Sequence, residues 1–456
     1  MRIALSPPAF FLAVALAAGV PLAFYSPPFQ VPDEPAHFLR AYAVSEGRLL
    51  ARNREGRTGD ALPVSLAELV ARTSAGIPGH PDRRIDRAAL AAARELDLRL
   101  EERAFLAFPT AALYSPLPYA PQALGIALGR AAGAGPLALL RLARLANLLA
   151  AALLVAAALR AAPAYRWLLA AFALVPMALF LRSSVSADAL TFAFAAFLGA
   201  HVARLAFSPD APLRRTDVAL VAGSAAALCL TKLPYALLAL SVLAVHGGPG
   251  RRGRVFLVAA TLAAALAASG AAAWIALSVE EPVRVGAGVD SGAQIAASLA
   301  HPFRFAGLVV RNLADRWPGY AVEVLGRLGW LDALVPLPAL ALLALGLAAL
   351  VFLDGSGELR VEPPRRLLLG GLTVAAAVAI VASQYAMWTP YGAAWIEGVQ
   401  GRYFHPLAPF AVWALHLRRG SGVLSPRGRL AVAGLLAAVA VAATFWTVHA
   451  RYYSAS

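Results

Sequence analysis

Apolar runs long enough to cross a bilayer recur through almost the whole chain, and no other feature constrains its fold as strongly. A helix needs about 20 apolar residues to span the hydrocarbon core, and apart from a closed barrel no other backbone arrangement satisfies its own amides there. Runs near 8–25, 137–159, 166–182, 187–206, 217–231, 233–246, 255–278, 332–353, 367–388, 403–417 and 429–449 predict about eleven transmembrane helices. The pair 217–231 and 233–246 is short on both sides of Lys232, so one long helix through Lys232 is the alternative. Composition agrees. Of 456 residues, 60% are hydrophobic and 14% charged, with a mean hydropathy of +0.68, where soluble chains carry about 25% charged residues. The expected fold class is an all-α integral membrane protein.

The spans divide the chain into a first transmembrane helix (1–25), an extracytoplasmic loop (26–136), helices two to seven (137–278), a second extracytoplasmic loop (279–331) and helices eight to eleven (332–456), all one membrane domain. The first segment lacks an obvious small-residue cleavage site and is read as a retained span. In the first loop, apolar and charged residues at Ala88–Glu102 recur at helical spacing, which predicts an interfacial helix near 86–104. The short run Leu117–Leu128 follows a Pro-rich stretch and is expected to lie at or dip into the interface without crossing. The single Cys229 excludes a disulfide framework or thiolate metal site.

The net charge of +15 is not a nucleic-acid footprint, because its arginines punctuate the loops. With the N-terminus inside, the inner loops hold Arg2; Arg160 and Arg166; Arg204, Arg214 and Arg215; Arg251, Arg252 and Arg254; Arg360, Arg365 and Arg366; and Arg418, Arg419, Arg427 and Arg429. The short outer loops hold only Arg182, Lys232 and Arg402. That asymmetry is the positive-inside rule, from which long loops are exempt. A crossing by Leu117–Leu128 would reverse it.

On this topology several polar positions share the outer face. Asp33 and Glu34 sit between Pro32 and Pro35, a stiff corner biased away from helix, with His37 and Arg40 within two turns. Asp188 lies at the turn after 166–182, Lys232 at the turn of 217–246, and Glu397, Gln400, Arg402, Tyr403 and His405 before 403–417. Charges at membrane depth are costly and mark sites or pairs. Each also has a plainer reading: Asp33 or Glu34 and Asp188 as helix caps, Lys232 as a snorkelling side chain, Arg402 and Tyr403 as an interfacial anchor. Trp317, Trp330, Trp388 and Trp395 suit an interfacial belt. No His, Asp or Glu cluster has metal-ligand spacing.

The segment Pro27–Tyr42 resembles the opening signature of a family of bacterial polytopic membrane proteins, domain of unknown function 2142. Tyr114–Gln122, Val175–Phe180 with Ser186–Asp188, Gly326–Asp332 and Gly398–Phe404 are similar to further pieces of it. That family resembles, more distantly, the GT-C superfamily of membrane glycosyltransferases. The resemblance implies a GT-C-like bundle, a polyprenyl-phosphate sugar donor, and acidic residues in the first two outer loops, which fall on Asp33 or Glu34 and on Asp188. The Pro-containing segment before span two matches Ser115–Tyr119.

The expectation is an inverting glycosyltransferase of the bacterial cytoplasmic membrane, N-terminus cytoplasmic, working at the extracytoplasmic face on an envelope glycan, lipid or protein acceptor. Transfer to a hydroxyl needs a carboxylate base and cations for the leaving phosphate. Asp33 is the expected base with Glu34 as its alternate. Asp188 orients the acceptor or helps hold a divalent cation, magnesium or manganese, as cofactor. Lys232 and Arg402 are expected to hold donor phosphate and Tyr403 to line the lipid groove, with His37, Arg40 and Gln400 supporting. A transporter or flippase for a lipid-linked or anionic substrate, or a non-catalytic polyprenyl-lipid scaffold, is the alternative. The lack of an internal repeat and the clustering of polar residues at one face favour the enzyme.

Overall fold

The computed structural model describes residues 5–74, 76–207, 213–245, 250–279, 288–356, 359–416 and 424–454. Arg2, Arg418 and Arg419, and residues 280–287 of the second long loop, lie outside them. The chain opens with helix α1 (Pro7–Tyr25). The first long loop then folds as α2 (Glu34–Ser45), β1 (Arg52–Arg54), β2 (Arg57–Pro63), α3 (Val64–Ser74), α4 (Arg87–Ala92), β3 (Arg103–Ala107), α5 (Pro109–Ala112) and α6 (Ala120–Ala131). The body follows with α7 (Pro136–Ala161), α8 (Arg166–Phe172), α9 (Pro176–Arg182), α10 (Ala187–Phe207), α11 (Arg215–Thr231), a 3-10 run Leu233–Ala244 and α12 (Arg251–Leu277). After α13 (Ser291–Ala300) and α14 (Pro302–Gly326) come a short hairpin of two-residue strands, β4 (Arg327–Leu328) with β5 (Ala333–Leu334), then α15 (Leu337–Leu353), α16 (Pro363–Trp388), a 3-10 turn Gly401–Leu407, α17 (Ala408–Ala414) and α18 (Pro426–Tyr452).

Six of these helices, α1, α7, α10, α12, α16 and α18, are long and apolar enough to cross a membrane. Leu233–Ala244 and α15 are shorter apolar helices. The eleven-span expectation therefore holds in its coarse form, a predominantly helical chain with several spans. Two of its segments come out broken. The 166–182 run divides into α8 and α9 around Pro176, and 403–417 into a 3-10 turn and α17, with Pro406 and Pro409 inside it. Proline removes an intrahelical donor and clashes with the preceding turn. At Lys232 the backbone is extended (φ −154°, ψ 122°), so 217–246 is two elements and not one helix. The described helices expose large apolar side chains such as Phe256, Leu266, Leu345, Leu367 and Trp446, a surface too extensive for water and suited to lipid.

The first long loop is a folded layer over one end of the bundle. Its β2 strand pairs antiparallel with both β1 and β3. Beneath the sheet, Phe29, Phe38, Tyr42, Leu62, Leu66, Phe108 and Tyr119 form a buried cluster that continues onto Leu139 and Leu140 of α7. The interfacial helix expected over 86–104 is reduced to the six residues of α4. Beyond it Leu96, Leu98 and Leu100 alternate with Asp97 and Arg99 at a period of two, which suits extended chain, and Arg103–Ala107 completes the sheet. The all-α expectation thus gains two small antiparallel sheets. Leu117–Leu128 becomes a short 3-10 turn and α6, whose 12 residues reach about 18 Å, too little for a bilayer core. It packs along α7.

The short basic loops gather at one end of the bundle. Here Arg254 donates to the Leu205 carbonyl, Arg366 to that of Ala414, and Arg204 pairs with Asp217. The Asp354 carboxylate there accepts from the amides of Trp167 and Leu168. The opposite end carries the Pro-Asp-Glu-Pro corner.

Candidate functional site

The corner is held from every side. Between Ser26 and Asp33 each carbonyl accepts a hydrogen bond. Arg144 of α7 donates to Ser26 (2.8 Å), Pro27 (3.0 Å) and also Ala23 (2.9 Å). Gln30 donates to Pro28, the Trp330 indole to Phe29 (3.1 Å), the Tyr452 hydroxyl to Gln30 and the Glu34 amide to Val31. Arg402 donates to Pro32, and the His37 amide to Asp33. Two residues in it, Phe29 and Asp33, have left-handed backbones at φ 63°. Such conformations cost energy outside glycine and persist where the surroundings over-determine them. Asp tolerates this region better than most residues.

Glu34 is the keystone. Its two oxygens take the Arg144 guanidinium bidentately (2.8 and 2.6 Å), the Phe29 amide (3.0 Å) and the Val185 amide (2.9 Å). Bidentate, charge-assisted pairs are the strong class of hydrogen bond. Since Glu34 is fully buried and its oxygens are occupied by these four donors, it does not face a substrate. The expectation that it serves as alternate base is corrected on that ground. Its bond to Val185 ties the corner to the turn bearing Asp188. Asn147 holds the same turn through the Ser184 carbonyl (2.7 Å), and Gln122 in turn holds Asn147 (2.9 Å).

Asp33 precedes α2 but makes no cap hydrogen bond. Its carboxylate turns outward to Arg402, 2.5 Å away. Arg402 also reaches Asp188 at 3.4 Å, and Asp188 pairs with Lys232. The result is an alternating chain, Asp33, Arg402, Asp188, Lys232. Burial works against both cations, yet Asp188 holds the Lys232 ammonium above its ordinary range, and Tyr403 with Asp33 and Asp188 does the same for the Arg402 guanidinium. The Lys232 ammonium sits 4.9 Å from the centre of the Tyr403 ring and 5.1 Å from that of Tyr114, where aromatic faces attract a cation. Lys232 therefore ends in an ion pair and does not snorkel.

Position 402 depends on a backbone contact that only glycine allows. A Cβ on Gly401 would lie 2.4 Å from Glu323 Cβ and 2.5 Å from the Tyr320 carbonyl oxygen of α14. Glu323 accepts the Gly401 amide (2.7 Å), and His405 bonds the Val324 carbonyl. The 3-10 turn carrying Arg402 and Tyr403 is thereby pinned to α14.

Asp33, Tyr114, Ser115, Lys232 and Tyr403 line the polar head of a cavity of about 420 Å³. Its side wall is largely apolar, built from Leu230 of α11, Ala272 and Ala276 of α12, and Ile380, Met387 and Trp388 of α16, with Ser383 and Gln384 of α16 as its polar members. Of the expected site residues, Asp33, Lys232 and Tyr403 reach this cavity, while Arg402 and Asp188 stand immediately behind them. His37 is buried against Tyr119 (Nδ1 to hydroxyl, 2.8 Å), and burial drives its imidazole down to about 4. Arg40 donates to the carbonyls of Arg48, Leu49 and Tyr114, binding α2 to its loop. The Gln400 side-chain oxygen is buried and unpartnered, and its carbonyl accepts the Tyr403 amide. Among the described residues no three of His, Cys, Asp and Glu converge on a metal position. With Asp33 and Asp188 engaged by Arg402 and Lys232, this donor set does not fit a divalent cation.

Sequence reasoning passed over Arg144, although a charge inside the apolar run 137–159 was a signal. It also passed over Tyr235, whose hydroxyl donates to the Tyr403 carbonyl (2.7 Å). The pieces Pro27–Tyr42, Tyr114–Gln122, Ser186–Asp188, Gly326–Asp332 and Gly398–Phe404 are dispersed in sequence, and all meet around this one end.

Fold and site together define a helical membrane protein with an ion-paired polar cavity at one end of its bundle. The chain belongs to the family described as predicted membrane protein (DUF2142), which matches residues 16–411. No curated protein and no solved structure matches it.

Proposed function

We propose that this protein is an inverting membrane glycosyltransferase of GT-C type. It moves a sugar from a polyprenyl-phosphate donor to an envelope glycan, lipid or protein at the outer face of the bacterial cytoplasmic membrane. The observation that carries the reading is the cavity itself. One rigidly aimed carboxylate and one cation share a polar head above a largely apolar side wall between three helices, which suits a phosphate with a long apolar tail. Orientation rests on the basic loops gathered at the opposite end of the bundle.

Asp33 accepts the proton of the acceptor hydroxyl while that oxygen bonds to the anomeric carbon. The bond from that carbon to the phosphate oxygen breaks, and the electron pair leaves with polyprenyl phosphate. Lys232 faces the phosphate and stabilises the charge it gains; Arg402 supports from behind, and Asp188 positions both cations. A phosphate competing for Arg402 loosens its hold on Asp33 as the donor arrives. The apolar wall, with Tyr403 at its top, takes the first isoprene units.

The test is mass spectrometry of envelope glycans and lipid-linked sugars in a deletion strain complemented with wild type or Asp33→Asn. The variant is expected to insert normally and leave the sugar unattached. Full modification by Asp33→Asn would remove Asp33 from the mechanism and favour the lipid-binding scaffold.

A further inference from the structure

A second groove, of about 490 Å³, opens at the same end of the bundle but against α1, α4, α7 and the close of α18. It shares no lining residue with the cavity at Asp33. Three arginines converge on it, Arg87 and Arg94 from the folded loop and Arg141 from α7. Among the described residues none of the three pairs with a carboxylate or makes a side-chain hydrogen bond. Arg141 instead lies over the Phe24 ring at 5.4 Å. The Asp86 carboxylate, next in sequence to Arg87, caps α4 by accepting the amides of Ala88 and Ala89 through one oxygen and makes no ion pair with the three arginines. Like charges gathered without a counter-ion repel one another, so the groove is a standing demand for an anion.

What lies below it identifies the anion's carrier. Phe24 and Val20 are exposed large apolar residues of α1. Spaced at i and i+4, they share one face of the helix with exposed Ala13 and Ala17. That stripe runs down a membrane-spanning helix from directly beside Arg141. The far wall is the aromatic stack of Tyr25, His449 and Tyr453, in which the Tyr25 hydroxyl meets His449 Nδ1 at 2.7 Å. A cationic rim at the membrane boundary above an apolar stripe matches a phosphodiester with acyl chains. We infer that this groove binds the headgroup of an anionic phospholipid, with its phosphate among Arg87, Arg94 and Arg141 and one acyl chain along α1.

The inference does not depend on the transferase reading, and binding is its readout. Delipidated full-length protein in mild detergent is titrated with phosphatidylglycerol or phosphatidylcholine and followed by native mass spectrometry. Wild type is expected to prefer phosphatidylglycerol. Arg87→Gln with Arg94→Gln, both exposed, should weaken it about fivefold per arginine removed and leave phosphatidylcholine unchanged. Arg141→Gln should behave likewise while Arg141→Lys retains binding, which separates loss of charge from loss of fold. Equal affinity for the two lipids, or unchanged phosphatidylglycerol binding in the double variant, overturns the inference. Displacement of the lipid by millimolar inorganic phosphate alone reassigns the groove to a soluble anion and overturns the lipid assignment.

Discussion

Glu34 and Arg144 stand 110 residues apart and meet as a bidentate ion pair with N–O distances of 2.8 and 2.6 Å. The pair joins the first loop to α7, and its spare hydrogen bonds draw in the end of α1 and the turn before α10. It is a structural clamp that leaves its neighbour Asp33 as the carboxylate facing the cavity.

Removing one member leaves a buried charge without its partner. Arg144→Ala or Glu34→Ala is expected to lower stability by about 3–5 kcal/mol, read as thermal unfolding in detergent. The double variant Glu34→Ala with Arg144→Ala should lose less than the two single losses added, because the members couple. Additive losses would separate the two residues.

At Asp33 backbone and chemistry can be pulled apart. Glycine adopts φ 63° freely, so Asp33→Gly should keep the melting temperature within a few degrees while sugar transfer is lost. Asp33→Val puts a β-branched residue in the left-handed region and should cost a further ~1–2 kcal/mol. Comparing melts with transfer in membranes distinguishes a positioned base from a turn residue.

Lys232→Met leaves Asp188 with Arg402 alone and empties the cavity head of its cation. A loss of about 10²-fold in kcat/KM for the polyprenyl-phosphate donor is expected, the scale for one charge-stabilising donor, with Lys232→Arg recovering part of it. Reconstituted protein in proteoliposomes provides the measurement. Unchanged kinetics would take Lys232 out of the site.

The depressed His37 makes stability depend on pH. An imidazole at about 4 in the folded protein and about 6.5 unfolded binds its proton more readily in the unfolded chain. Its contribution is present above pH 6.5 and is lost as pH falls from 6.5 toward 4, by roughly 3 kcal/mol in all. His37→Gln should flatten that part of the stability profile. An unchanged slope between pH 6.5 and 4 would show that other groups carry it.

Gly401→Ala drives a methyl group into α14 and must displace the turn bearing Arg402. A loss of about 1–3 kcal/mol follows from overpacking, with a fall in transfer larger than that of a surface variant. Unfolding and activity measured on the same preparation test the coupling.

Much of the site was legible because cost at membrane depth is a local property. Asp33, Asp188, Lys232 and Arg402 stood out as charges beside apolar runs, and they form one chain of ion pairs. The broken segments were passed over: 166–182 and 403–417 read as spans by hydropathy, although Pro176, Pro406 and Pro409 inside them carried the signal. The helix expected over 86–104 stopped after α4; the far end of that range joins β3, whose partners in β2 lie 40 to 48 residues upstream, and such long-range pairing overrides local spacing. The role of Glu34 was hidden, since two adjacent carboxylates look alike until one of them meets Arg144.

By itself the sequence determined the membrane class, the approximate places of the long helices, the segregation of arginines and the stiffness of the Pro-Asp-Glu-Pro corner. Hydropathy, charge and fixed proline φ act within a few residues of chain and need no partner. Only the tertiary structure decided that Glu34 is locked away while Asp33 faces the cavity, and that Arg402 stands between two carboxylates. Ion pairs and close glycine contacts depend on where distant segments meet. One hydrogen bond to Arg144 or one methyl group at Gly401 changes which atoms reach the cavity without altering the hydropathy of any run.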